Sequence, residues 1–103
     1  MVTAADWQNA IEDALRPLGS AVDAPAMQAY MKDVAPFLGV RTPERRRAVR
    51  QVAKALPAPT PDLLSELAVR LWTLPEREFQ YAACDLLARF SAGLPASSRW
   101  SHR

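Results

Sequence analysis

Nine prolines in 103 residues constrain this chain more than any other feature. A proline inside a helix removes a hydrogen bond and clashes with the preceding turn, and inside a sheet it breaks the ladder. Here the prolines fall at the edges of segments. Pro25, Pro43, Pro61 and Pro75 stand where helical periodicity begins, whereas Pro36 and the stretch "LPAPTP" from 56 to 61 interrupt it. Between them apolar residues recur every three or four positions instead of alternating. The chain is therefore expected to be all-α, with short helices, marked connections and no strand.

Five helices are predicted. The first runs from about Thr3 to Arg16, with Trp7, Ile11, Ala14 and Leu15 on one stripe. The second opens at Asp23, read as its N-cap, and carries Met27, Tyr30, Met31 and Val34 on a narrow apolar edge. Thr42 and Thr60, each followed by proline, are read as caps of the third and fourth helices. The fourth helix buries Leu63, Leu64, Leu67, Ala68, Leu71 and Trp72, and leaves Glu66 and Arg70 to pair on the outside. Thr73-Leu74-Pro75-Glu76 has the form of a capping box. It introduces a fifth helix with Phe79, Ala82, Ala83, Leu86, Leu87 and Phe90 inward. Short connections fit a compact bundle or stacked helical pairs equally well. Residues 1–92 read as one helical domain and 93–103 as a polar tail.

Charge is unevenly distributed. Six basic residues stand between Arg41 and Lys54 against the single Glu44, a local charge of +5 in a chain whose total is +2. At roughly 100° per residue, Arg46, Arg47, Arg50 and Lys54 fall within one arc of the third helix, and Ala48, Val49, Val52, Ala53, Ala55 and Leu56 fill the opposite one. Arg45 points nearer the apolar side, with its stem along the core and its guanidinium reaching water. Three arginines directly after the helix start oppose the macrodipole, a cost of a few tenths of a kcal/mol each. An anion at that end removes the cost. The face is thus a candidate for phosphate contact, which positions a protein without reading sequence; a solvated surface is the alternative.

Other chemistry is sparse. Cys84 is the only cysteine, expected as a small buried thiol, which excludes an internal disulfide and fits a reducing setting. His102 is the sole histidine, so no metal set is apparent. The three glycines are too dispersed for a phosphate loop, and no cofactor is expected. No apolar run approaches the ~20 residues that span a bilayer, and no secretory signal is visible. A cytoplasmic location without membrane contact is expected.

The stretches "MQAYMKDVAPFLGVRTPERRR" (27–47) and "LWTLPEREFQYAACDLLARF" (71–90) resemble the DNA alkylation repair family, the alkylpurine DNA glycosylases built from HEAT-like repeats. The resemblance covers roughly Met27 to Phe90. It implies antiparallel helical pairs stacked into a superhelix whose concave cationic surface embraces duplex DNA. It also implies hydrolysis of the glycosidic bond of N3- and N7-alkylated purines. By position, Tyr30 would lie close to DNA, with packing beside Met27 and Met31 as the alternative, and Lys32, Arg45, Arg46, Arg47, Arg50 and Lys54 would contact the backbone. Trp72 and Phe79 are read as core, Glu76 as a cap, Arg77 and Glu78 as surface or inter-helix pairing, and the Asp85–Arg89 pair as surface. Members of the family supply a Trp-Trp-Asp motif after the fifth helix. Here "SAGLPASSRWSHR" follows instead, with Ser101 after Trp100, so the family's hydrolysis is not expected to be complete in this chain.

Two consequences follow for partners. A stack normally covers its last helix with a further repeat. Left uncovered, Phe79, Ala83, Leu86 and Phe90 would form an exposed edge, and either self-association through this helix or compaction into a bundle is accordingly expected. A non-enzymatic helical protein–protein interaction module is the alternative to a DNA-binding role.

Overall fold

The computed structural model describes residues 2–30 and 36–91. The elements are α1 (Ala4–Leu15), a 3-10 turn (Arg16–Leu18), α2 (Asp23–Tyr30), α3 (Thr42–Ala55), α4 (Pro61–Trp72) and α5 (Arg77–Ser91), with no strand among the described residues. The all-α expectation holds. No helix of the described residues is long and apolar enough to cross a membrane.

Four helices pack around one core. α1 lies against α3 and α4, α5 lies against α4 and α3, and the closest packing is between α4 and α5. The core between them is built from the stripes that the periodicity marks: Trp7, Ile11 and Leu15 of α1, Leu64, Leu67 and Leu71 of α4, and Phe79, Ala82, Ala83 and Leu86 of α5. Ala48, Val49 and Ala53 supply the buried side of α3. Full burial of side chains such as Trp7, Ile11 and Leu67 contributes about 1.5–3 kcal/mol each. α2 stands apart and contributes no buried residue.

The helix starts differ from expectation in instructive ways. Thr3 closes a full capping box with Asp6, and Thr60 accepts from the Leu63 amide at 3.2 Å. Thr42, however, is already helical, and Arg41 is the cap residue without a side-chain hydrogen bond. At α2 the capping oxygen belongs to Ser20, which accepts from the Val22 and Asp23 amides. Thr73 ends α4 and donates to the Arg70 carbonyl at 2.7 Å. The Glu76 carbonyl accepts the Phe79 amide at 3.2 Å, but its side chain caps no amide and pairs with Arg16 at 3.3 Å. The first turn of α5 finds its partners in a distant segment instead, as described below.

Several burial expectations are corrected. Trp72 is 54% exposed, because the buried stripe of α4 is Leu64-Leu67-Leu71 and the next residue is rotated about 100° off it. Cys84 is exposed for the same reason, one residue beyond buried Ala83. Phe79, Ala83 and Leu86 are buried, and Phe90 meets Trp7 edge-on with ring centroids 6.0 Å apart. The exposed edge expected on these four residues is therefore consumed inside the chain, where α1, α3 and α4 all pack on α5. The Glu66–Arg70 pair forms as read, at 3.1 Å.

Candidate nucleic-acid interface

The start of α3 is held by a strap, residues 36–41, that runs between the 3-10 turn and α5. The Arg77 amide donates to the Pro36 carbonyl and the Ser20 amide to the Leu38 carbonyl, both at 2.9 Å. The Gln28 side chain accepts from the Phe37 amide at 3.2 Å. The main fastening is Glu78. Its carboxylate accepts the amides of Leu38, Gly39 and Val40 at 2.8, 2.9 and 3.1 Å, and the residue is 1% exposed. Gly39 makes this possible with φ +92°, where a Cβ would collide with the Ser20 carbonyl and the Ala24 amide. Of its two expected placements the surface one is thus overturned: Glu78 is a buried anchor to another segment, with backbone amides and not a side chain as partners. Its position four residues before Ala82 and eight before Leu86 puts it on the buried face of α5, a signal present in the spacing.

Arg45 is the second correction. It is 6% exposed, and its guanidinium does not reach water. Nε donates to Asp85 at 2.9 Å and the guanidinium carbon lies 5.1 Å from the centre of the Tyr81 ring. Asp85 therefore serves α3 across the helix interface and is not the surface partner of Arg89. A buried guanidinium needs such a carboxylate and a flat π surface, since desolvation without them is costly. Arg41 is paired as well, with Asp23 at 3.3 Å. That hydrogen bond, with the attraction of the two charges, raises the Arg41 pKa above its ordinary value.

The other cations of α3 behave differently. Arg46, Arg47, Arg50 and Lys54 are all exposed on the side opposite Ala48, Val49 and Ala53. Among the described residues none of the four makes an ion pair, whereas Arg16, Arg41, Arg45 and Arg70 all do. Lys54 lies in the last turn, where the helix dipole favours it, and Glu44 offsets the first. The structure thus brings four of the seven expected contact residues onto one surface, removes Arg45 to the interior, and leaves Tyr30 elsewhere. Tyr30 ends α2 and is 86% exposed, which rules out its core alternative. Lys32 lies outside the described residues.

Between α2 and the junction of α3 with α5 runs a groove of about 540 Å³. Tyr30 and Met27 form its outer wall, Phe37 and Val40 come from the strap, and Tyr81 and Arg45 from the inner side. Among the described residues no three His, Cys, Asp or Glu side chains converge on a possible metal position.

The family model described as "DNA alkylation repair enzyme" matches residues 11–101. No curated protein matches the sequence.

Proposed function

The chain belongs to the DNA alkylation repair enzyme family, and on that footing we propose that it binds duplex DNA along the phosphate backbone through the exposed face of α3. One observation carries the reading: Arg46, Arg47, Arg50 and Lys54 share a face without carboxylate partners among the described residues, while the neighbouring arginines are neutralised. A row of cations on one helix face, without carboxylate partners among the described residues, suits a phosphate backbone and gains from counterion release. It explains the arginines early in α3, because an anion there turns an unfavourable dipole interaction into a favourable site.

Alkylpurine glycosidic hydrolysis, which the sequence resemblance implies, needs a carboxylate facing the positive charge that develops on the sugar. Asp85 is committed to Arg45 and Glu78 to three backbone amides, so neither is offered for that role. The part in repair proposed for these residues is holding the duplex.

The test is duplex DNA binding across a salt series, by the native chain and by the variant carrying Arg46→Ala, Arg47→Ala and Arg50→Ala. Each neutralised phosphate adds about −0.9 to the slope of log K against log salt, so a slope near −3 that shrinks in the variant is expected. Equal slopes would remove α3 from the interface. A second reading, a protein–protein interaction module, draws on Val69, Trp72 and Leu87, which are exposed where α4 meets α5. It is favoured if the variant keeps its partners and neither form binds DNA.

A further inference from the structure

One stripe of α5 holds the start of α3. Glu78, Tyr81 and Asp85 stand at i, i+3 and i+7, a spacing that puts them on a single helix face. Each grips a different part of the same junction. Glu78 binds the three amides that precede α3, those of Leu38, Gly39 and Val40. Tyr81 lies beside the Phe37 ring, at 6.4 Å, and beside the Arg45 guanidinium. Asp85 accepts from Arg45 Nε at 2.9 Å. Only Arg41 separates the last of the bound amides from the helix.

The junction has few other holds. Arg41 caps α3 without a side-chain hydrogen bond, and Thr42, Pro43, Glu44, Arg46 and Arg47 are exposed. The apolar residues that bury α3, Ala48, Val49 and Ala53, begin only in its second turn. Arg46 and Arg47 stand ahead of them, on the part of the helix that α5 holds by hydrogen bonds and charge. A side chain that must be ordered on binding loses entropy at the moment of contact, and one placed beforehand loses less.

We propose that Glu78 is a positioning residue for duplex DNA: a buried anion that strengthens the binding of a polyanion by fixing the strap, and through it Arg46 and Arg47. The inference rests on the reading of α3 as a phosphate-contacting face and adds to it the group that sets its geometry. The sign of the effect separates this role from plain electrostatics. Glu78→Gln adds one positive unit to a net charge of +2. If charge alone mattered, the variant would bind the duplex more tightly. Positioning requires it to bind more weakly.

Fluorescence anisotropy with a fully paired duplex at fixed low salt compares the native chain with Glu78→Gln and, separately, with Gly39→Ala. The second variant displaces the strap and leaves every charge in place. Circular dichroism fixes a temperature at which each variant is fully folded. Both are expected to bind roughly tenfold more weakly, the ordering loss of two long side chains. Both keep the native salt slope, because no cation is removed. Leu67→Ala empties a buried position of α4, which packs on α1 and α5. It is expected to lower stability and leave the affinity unchanged. Binding by Glu78→Gln that equals or exceeds the native chain's overturns the positioning role, as does an equal loss of affinity in Leu67→Ala. Either result leaves the α3 reading standing. If Glu78→Gln does not fold, Gly39→Ala decides alone, and native affinity in that variant overturns the role. Native binding that is indifferent to Arg46→Ala with Arg47→Ala overturns the α3 reading and the positioning role with it. No binding by the native chain overturns both.

Discussion

Glu78 holds Gly39 across the start of α3: its buried carboxylate accepts the Gly39 amide at 2.9 Å and shares the two flanking amides. Three donors converge on two oxygens, an arrangement only a carboxylate satisfies. Glu78→Gln would turn an NH₂ toward N–H donors, leaving at least one of them without an acceptor. A loss of about 2–4 kcal/mol is expected. A lower urea midpoint at unchanged slope would measure it. A loss under about 1 kcal/mol would mean that the strap does not depend on the carboxylate.

Gly39 tests the same clamp from the other side. At φ +92° an L side chain is strained, and its Cβ would meet backbone atoms of Ser20 and Ala24 that cannot swing away. Gly39→Ala is expected to cost about 1–3 kcal/mol. Because the strap carries Arg41 into α3, the variant should also show faster amide exchange at Leu38 and Val40. Unchanged exchange there would argue against the clamp.

Arg45 and Asp85 tie α3 to α5 at 2.9 Å, with side chains 8% and 21% exposed. Removing either partner leaves the other poorly solvated, so Arg45→Met and Asp85→Leu should each cost about 2–3 kcal/mol, somewhat less than the ~3–5 kcal/mol for a wholly buried pair. The double variant should recover much of the loss, because two apolar side chains leave no stranded charge. Strictly additive losses in a double-mutant cycle would show that the pair is not coupled.

Acid sensitivity has one assignable source at the start of α1. The Asp6 pKa lies below its ordinary 3.8, first because the Thr3 backbone amide donates to the carboxylate and next because of the Thr3 side chain. A depressed carboxylate stabilises the fold fully above the unfolded value, and the contribution fades as pH falls through the folded one. Melting temperatures of the native chain should therefore drop more steeply below pH 3.8 than those of Asp6→Asn. Parallel curves would assign the acid sensitivity to other groups.

The stripes of α1, α4 and α5 were legible because burial repeats with the helical period, and Trp7, Ile11, Leu67 and Phe79 lie where that period puts them. The cationic face of α3 was legible for the same reason. What periodicity cannot name is the partner. Arg45 and Asp85 are forty residues apart, as are Leu38 and Glu78, and a charged residue facing inward gives no hint of which distant group awaits it. Local signals also lost to tertiary ones: the Thr73–Glu76 box gave way because the Pro36 carbonyl takes the Arg77 amide and Arg16 takes Glu76. The groove could not be read at all, since its rings come from three segments joined only in space.

Two of the three tryptophans, Trp7 and Trp72, offer a direct measure of where that reading fails. Both stand at positions the periodicity marks as apolar, yet Trp7 is fully buried and Trp72 is 54% exposed. Trp7→Ala removes the centre of α1's packing, including the edge contact with Phe90, and should cost about 3–5 kcal/mol. Trp72→Ala should change stability by no more than about 0.5 kcal/mol. Denaturant unfolding at several protein concentrations distinguishes two ways of missing that value. A large loss independent of concentration would mean that the ring is covered within the chain. A loss that grows with concentration would mean that a second copy covers it, since only binding linked to the folded state makes apparent stability depend on the amount of protein.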